Sequence, residues 1–131
     1  MIFIDSPALY ALLDRDDRNH RAARAIWTHI VHGGEALLTH NYVLLEALAL
    51  IQHRLGLEAV RALHEAILPL VTVVWVDEAL HARAVAAWLA SPREGESLVD
   101  RISVEVIRLR ECRAIFTFDE AFAAEGIPLA G

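Results

Sequence analysis

The alternation of short apolar segments with longer helical segments constrains the fold of this chain most strongly. Strands are predicted at residues 2–5, 36–39, 71–76 and 114–118, with a small edge strand at residues 127–129. No hairpin signal joins any two of these strands, and helical periodicity fills the segments between them. Strands connected in this way form a parallel sheet with right-handed crossovers. The sequence therefore predicts an α/β fold: a single three-layer α/β/α domain over residues 1–131, with a mainly parallel sheet of four to five strands.

The helical segments have recognisable ends. Gly33 and Gly34 end the second helix, Gly56 ends the third and Pro69 ends the fourth. Helices are predicted at residues 8–13, from about residue 19 to Gly33, and at residues 42–54, 57–68, 78–90, 97–111 and 119–124. The segment 91–96 is predicted to be a loop because it contains Pro and Gly.

Composition limits the setting and the partners. The single cysteine, Cys112, cannot form an intramolecular disulfide, and no apolar run is long enough to cross a bilayer, so we expect a reduced, cytoplasmic protein without membrane association. The formal net charge of −6 argues against a protein that simply coats nucleic acid. It is compatible with a nuclease whose clustered carboxylates are neutralised by a divalent cation. The hydrophobic content of 56% predicts an apolar surface for self-association or a protein partner.

Two aspartates follow predicted strands and precede predicted helices. Asp5 ends the first strand and Asp119 follows the fourth. If these strands are neighbours in the sheet, both carboxylates lie at its carboxyl edge, where open α/β sheets bind ligands. The alternative is that each aspartate simply caps a helix N-terminus.

Two further acidic residues lie within helices. Glu46 belongs to the nearly all-apolar segment 42–51, which predicts burial, and a buried carboxylate needs a cation, a hydrogen-bond network or a route to solvent. The alternative is a narrow solvent-facing stripe shared with Tyr42 and His53. Asp100 begins a late helix, with Ser103 one turn further on. Its alternative role is that of a first-turn acid that suits the helix dipole and pairs with a nearby arginine.

Four carboxylates without clustered histidines or cysteines favour Mg²⁺ or Mn²⁺ over zinc. Such cations commonly serve phosphate chemistry. The seven histidines are scattered and are interpreted as surface or capping residues, with His53 the one to test. Four arginines at positions 15, 18, 21 and 24 form either a basic edge for a phosphate backbone or an ordinary solvated helix face. There is no glycine-rich phosphate loop and no G-x-S-x-G elbow, so nucleotide-driven and serine-hydrolase functions lack support.

With these features in place, the sequence resembles the PIN domains, and among them the VapC-type toxins of toxin-antitoxin pairs. The resemblance covers essentially the whole chain. It rests on residues 2–6 and 8–13, residues 39–46, residues 97–100 with Ser103, and residues 117–119 with Phe122 and Gly126.

The resemblance implies a metal-dependent endoribonuclease with a Mg²⁺ or Mn²⁺ cofactor. The catalytic residues and metal ligands that it implies are Asp5, Glu46, Asp100 and Asp119. It also implies supporting positions around these ligands at Ser6, Ser103 and Thr117. Pro7 departs from the family, in which many members have Ser, Asn or Gly, and it removes a hydrogen-bonding side chain near Asp5.

The partners implied by the resemblance are an RNA substrate, such as transfer or ribosomal RNA, a cognate antitoxin protein and a second copy of the chain in a homodimer. Two other functions remain open. One is a PIN-fold module that binds RNA or protein without cleavage, and the other is a metal-dependent phosphoesterase that acts on small phosphomonoesters.

Overall fold

Four parallel strands form one sheet in the computed structural model, which describes residues 1–131. They are β1 (Ile2–Ile4), β2 (Leu37–His40), β3 (Val71–Val74) and β4 (Ala114–Phe116), in the spatial order β3-β2-β1-β4. This confirms the predicted fold class. Residues 127–129 do not form a fifth strand, because only Leu129 bridges to β4, at Ile115.

Six α-helices connect the strands. They are α1 (Ser6–Leu13), α2 (His20–His32), α3 (Asn41–Leu55), α4 (Leu57–Ala62), α5 (Glu78–Ala90) and α6 (Leu98–Leu109). The helix predicted over residues 57–68 is present, but it is α-helical only as far as Ala62. The chain passes into a π-helical turn at Leu63–Ile67 and a 3₁₀ turn at Leu68–Leu70, since Pro69 has no N–H for the α-helical ladder. The last predicted helix is a 3₁₀ helix at Glu120–Glu125.

The sheet lies at the centre of the hydrophobic core. Phe3, Ile4, Ile115 and Phe116 are fully buried, and all 29 buried apolar side chains form a single cluster. Each buried phenylalanine contributes about 1.5–3 kcal/mol through removal of apolar surface from water. The ends of these strands are therefore held on rigid elements, as a precisely positioned site requires.

The strand order determines where a site can form. Successive strands β1, β2 and β3 extend the sheet in one direction, and the chain then returns to place β4 on the other side of β1. This reversal between β1 and β4 is the place at which ligands bind in open α/β sheets. No helix is both long enough and apolar enough to span a bilayer.

Candidate metal centre

The neighbouring strands β1 and β4 bring Asp5 and Asp119 to the same edge of the sheet. Ile4 is opposite Phe116, so the residues that follow both strands are adjacent. The hydroxyl of Thr117 donates to Asp5 Oδ2 at 3.1 Å and accepts a hydrogen bond from the backbone N–H of Asp119, also at 3.1 Å. Thr117 therefore ties the two aspartates together. The carboxylate of Asp119 also caps the 3₁₀ helix by accepting from the N–H of Ala121 at 3.0 Å.

Asp5 is the most perturbed acid of the group. Its exposed fraction is 3%. The pKa of Asp5 is raised to about 7, mainly by burial and to a smaller extent by the carboxylates of Asp100 and Glu46, while hydrogen bonds from the Ser6 backbone and from Thr117 oppose the rise. An ionised Asp5 is therefore unfavourable in the folded protein unless a positive charge compensates it.

Asp100 lies near Asp5 at the N-terminus of α6. Ser97 and Asp100 form a reciprocal capping box, in which each side chain accepts from the other residue's backbone N–H at 3.1 Å. Burial raises the pKa of Asp100, and the nearby carboxylates of Asp119 and Glu46 add to this effect. The alternative role as an arginine partner is not observed, because the neighbouring Arg101 binds Glu96 instead.

The prediction that Glu46 is buried is wrong. Glu46 is exposed, and it shares the solvent side of α3 with Leu45, Ala49 and His53, as the alternative interpretation described. Apolar side chains also occupy this solvent side, and Leu45 is 68% exposed, so apolar neighbours in sequence do not bury Glu46. Glu46 nevertheless faces the edge of the sheet, since the hydroxyl of Ser6 donates to its Oε1 at 2.5 Å. Ser6 directly follows Asp5, so this hydrogen bond holds Glu46 beside the aspartates.

The four acids are neighbours rather than a preassembled cage. The carboxylate of Asp5 is repelled by those of Asp100 and Glu46, and the carboxylate of Asp100 is repelled by that of Asp119. No three acidic, histidine or cysteine side chains are close enough together to hold one ion. Each acid is instead engaged locally, by Thr117, Ser6, Ser97 or the Ala121 amide. The donor set consists of carboxylate oxygens and fits a hard cation, but the side chains must rotate to converge on it.

His40 is a structural residue whose importance the sequence did not reveal. It is fully buried, and its Nδ1 accepts from the backbone N–H groups of Tyr42 and Val43, both at 3.2 Å. The imidazole therefore caps α3, the helix that carries Glu46. Sequence analysis interpreted His40 only as one of several surface or capping histidines, and imidazole is not among the preferred N-cap groups.

The other ring nitrogen of His40 reaches a second helix of the site. Nε2 lies 2.9 Å from the hydroxyl of Ser103, which itself donates to the carbonyl of Val99 at 2.9 Å. Nε2 therefore carries the proton and donates to Ser103. Burial lowers the pKa of His40 to about 4, which keeps the ring neutral. Ser103 thus contacts this imidazole rather than a carboxylate, and His40 joins the helix of Glu46 to the helix of Asp100.

The remaining candidates lie on the surface. His53 is exposed on the same side of α3 as Glu46. The four arginines at positions 15, 18, 21 and 24 are exposed and form no salt bridge. Only Arg21 and Arg24 lie on α2, and Arg15 and Arg18 lie in the turn before it, so the four arginines do not share one helix face.

The strand order β3-β2-β1-β4, with acids at the carboxyl edge of a parallel sheet, is typical of one class of proteins. The chain matches the PIN domain family over residues 2–126, and it belongs to that family. This confirms the resemblance found in the four sequence segments.

Individual relatives extend this result. The chain is 32% identical over 129 residues to the 23S rRNA-specific endonuclease VapC20 of Mycobacterium tuberculosis, across 96% of this chain and 95% of that protein. It superposes on the crystal structure of M. tuberculosis VapC20, described as a sarcin-ricin loop cleaving toxin, with a TM-score of 0.82 and 30% identity, over 97% and 96% of the two chains. FitAcB from Neisseria gonorrhoeae shares the fold, with a TM-score of 0.70 and 18% identity over 100% and 97% of the two chains.

Proposed function

We propose that this protein is a metal-dependent endoribonuclease and the toxin of a type II toxin-antitoxin pair. The observation that carries the proposal is the group of four acids at the β1–β4 edge, where burial raises the pKa of Asp5 to about 7. An enzyme tolerates such an unfavourable carboxylate where function requires it. Similarity to VapC20, an endonuclease, over nearly the whole chain supports the same conclusion.

Asp5, Glu46, Asp100 and Asp119 would hold Mg²⁺ or Mn²⁺. These residues would place the cation beside the phosphodiester, where it would neutralise charge and would lower the pKa of a water molecule for attack on phosphorus. Thr117 donates to Oδ2 of Asp5 and so orients this carboxylate for a role as a ligand. The other acids keep exposed or half-exposed side chains that can turn toward the cation.

Ribosomal RNA is the first substrate to test. VapC20 is specific for 23S rRNA and cleaves the sarcin-ricin loop, and the similarity covers 96% of this chain and 95% of that protein. We propose the same loop as the candidate target here, ahead of transfer RNA. Cleavage of intracellular RNA is consistent with the proposed cytoplasmic location.

A cognate antitoxin and a second copy of the chain are the proposed protein partners. Trp75 is 72% exposed and Leu89 is 70% exposed, and Leu45, Leu57 and Leu109 are also largely uncovered. Exposed apolar side chains that lie together mark surfaces that bind other proteins. These residues are therefore the candidates for the apolar surface that the composition predicted.

The proposal is tested by incubation of the purified protein with an RNA fragment that contains the sarcin-ricin loop. We expect cleavage with Mg²⁺ or Mn²⁺, no cleavage in EDTA and a loss of at least about 100-fold in Asp119→Asn, because a metal ligand is removed. Asp16→Asn is the matched control, since Asp16 is an exposed aspartate outside the site. Equal cleavage by Asp119→Asn and Asp16→Asn would contradict the proposed site.

The alternative function is a PIN-fold module that binds RNA or protein without cleavage. One observation favours it: no three ligands are already close enough to hold an ion. Such a module should keep its RNA affinity after Asp5→Asn and should not respond to Mg²⁺. Measurement of RNA affinity by fluorescence anisotropy, with and without Mg²⁺, separates the two functions.

A further inference from the structure

A cavity of about 160 Å³ lies beside Asp100, between α6 and the 3₁₀ helix. Val104 and Phe122, both almost completely buried, contribute apolar walls, and the side chains of Ala121 and Ala124 leave room at its mouth. The metal chemistry proposed above uses only Asp100 from this cavity. The remaining walls require another explanation.

The rim of the cavity is held open by ion pairs. Arg93 in the segment before α6 pairs with Glu125 of the 3₁₀ helix and with Glu96, while Arg101 binds Glu96 at 2.7 Å. The side chains of Arg101 and Glu96 are only 6% and 9% exposed, so this pair is part of the protein interior. These contacts fix the segment before α6 against the 3₁₀ helix, and the cavity is therefore preformed.

The size and chemistry of the cavity suit one flat ring. An apolar cavity of about 150 Å³ in another protein accommodates benzene, so a space of about 160 Å³ admits a single aromatic ring system. Four of the nine lining residues are apolar and can contact the face of such a ring: Val104, Ala121, Phe122 and Ala124. The other five are charged and can satisfy polar groups on the ring edge: Arg93, Glu94, Glu96, Asp100 and Glu125.

Asp100 identifies the occupant. It lies on the cavity wall and is also one of the four acids proposed to hold the cation at the cleaved phosphodiester. In RNA, one ribose separates each base from its phosphate, so a phosphate at Asp100 places a neighbouring base near this cavity. We propose that the cavity binds one unpaired nucleobase of the RNA, next to the cleaved bond. This inference rests on the proposed nuclease function and adds a specificity site to it.

The proposal has a consequence for the RNA structure. A base in this cavity cannot remain stacked and paired, so the nucleotide must lie in a loop or a single strand. Cleavage should therefore fail where the same sequence is locked into a duplex.

The experiment fills the cavity without touching the acids. Ala124→Leu adds an isobutyl group at the cavity mouth, and Ala123→Leu adds the same group at an exposed neighbour that does not line the cavity. A single-stranded RNA cleaved by the wild type is first selected from a randomised pool with Mn²⁺. Versions of this RNA then carry one abasic nucleotide at each of three positions on either side of the cut.

We expect Ala124→Leu to lower kcat/KM on the intact RNA by roughly 5- to 150-fold, the range that corresponds to loss of one base-stacking contact. One abasic position should lower the wild-type rate similarly and should cause no further loss in Ala124→Leu. Ala123→Leu should behave as the wild type. Thermal unfolding and Mn²⁺ affinity should be unchanged in both variants, since neither alters the core or an acid.

Other results overturn the proposal. If Ala124→Leu cleaves the intact RNA as fast as Ala123→Leu does, the cavity binds no base of the RNA. The same result is expected if the cavity instead binds a side chain of a protein partner. If each abasic RNA lowers kcat/KM by the same factor for Ala124→Leu as for the wild type, whichever position is abasic, the base binds outside the cavity. Absence of cleavage by the wild type would instead refute the proposed nuclease function itself.

Discussion

Removal of the Asp5 carboxylate should stabilise the metal-free protein at neutral and higher pH. The pKa of Asp5 is about 7 in the folded protein, compared with an ordinary value of 3.8. Between these two values the folded state holds a proton that the unfolded state has released. The contribution of Asp5 to the free energy of unfolding is therefore greatest below pH 4 and is lost as the pH rises through 7.

The size of the effect follows from the same two values. A rise of about three pH units corresponds to ~4 kcal/mol, which is an upper value because relaxation around the site reduces it. Asp5→Asn keeps the shape of the side chain but cannot ionise. In EDTA at pH 8 we expect it to be more stable than the wild type by up to ~4 kcal/mol, a shift in Tm on the order of 10 °C.

The assay is urea unfolding of wild type, Asp5→Asn and Asp16→Asn in EDTA from pH 4 to pH 8. The stability difference between the first two proteins should increase with pH, while exposed Asp16 controls for the loss of one negative charge. Mg²⁺ at pH 8 should stabilise the wild type more than Asp5→Asn, since a ligand that binds only the folded state raises its stability. A constant difference across the pH range, or a less stable Asp5→Asn at pH 8, would refute the reasoning.

Three further predictions concern the contacts that hold the site. Ser103→Ala should cost about 1–3 kcal/mol in urea unfolding, because the buried Nε2–H of His40 loses its acceptor; an unchanged midpoint would contradict this hydrogen bond. Titration by NMR should find His40 neutral at pH 6, with its proton on Nε2. His40 should therefore lower the free energy of unfolding only as the pH falls from about 6.5 toward 4. An imidazolium signal at pH 6 would contradict the assignment. Arg101→Leu should cost up to about 3–5 kcal/mol, because little-exposed Glu96 then keeps only its longer contact with Arg93 at 3.8 Å, whereas exposed Arg93→Leu should cost below ~1 kcal/mol; equal costs would contradict the difference in burial.

Much of the fold can be predicted from the sequence, because the signals for strands and for helix ends in neighbouring residues agree with the structure. The run of β-branched residues at 71–76 predicts a buried parallel strand, and a parallel strand, β3, does occupy Val71–Val74. The burial part of this prediction is wrong, because β3 lies at the edge of the sheet and only Val71 is buried. Gly33 and Gly56 end helices α2 and α3 as predicted. These are properties of neighbouring residues, and they need no knowledge of distant contacts.

The candidate site is harder to predict from the sequence, because its contacts join distant parts of the chain. His40 and Ser103 are 63 positions apart, and no local pattern indicates that an imidazole joins their helices. Glu46 shows the opposite problem. Its apolar neighbours predicted burial, but Leu45 faces solvent, where a partner protein can cover it. A local sequence pattern cannot distinguish apolar residues that are buried in the core from those that face solvent.

The alternative roles of the acids as helix caps also proved relevant. Asp100 and Asp119 do cap their helices, through Ser97 and the Ala121 amide. Capping and metal binding are compatible, because a carboxylate has two oxygens and several acceptor positions. Local sequence chemistry therefore explains why an acid is favoured at these positions, while only the strand order explains why the acids are close together.

Titration of Mn²⁺ by electron paramagnetic resonance, with RNA cleavage followed in the same samples, tests the four-acid metal centre most directly. The samples are the wild type, the single variants Asp5→Asn, Glu46→Gln, Asp100→Asn and Asp119→Asn, and the control Asp16→Asn. We predict saturable Mn²⁺ binding by the wild type and the control, with affinity at least about tenfold weaker and cleavage lost in each of the four variants. A folded wild type that binds no Mn²⁺, or four variants that bind and cleave as the control does, would contradict the account.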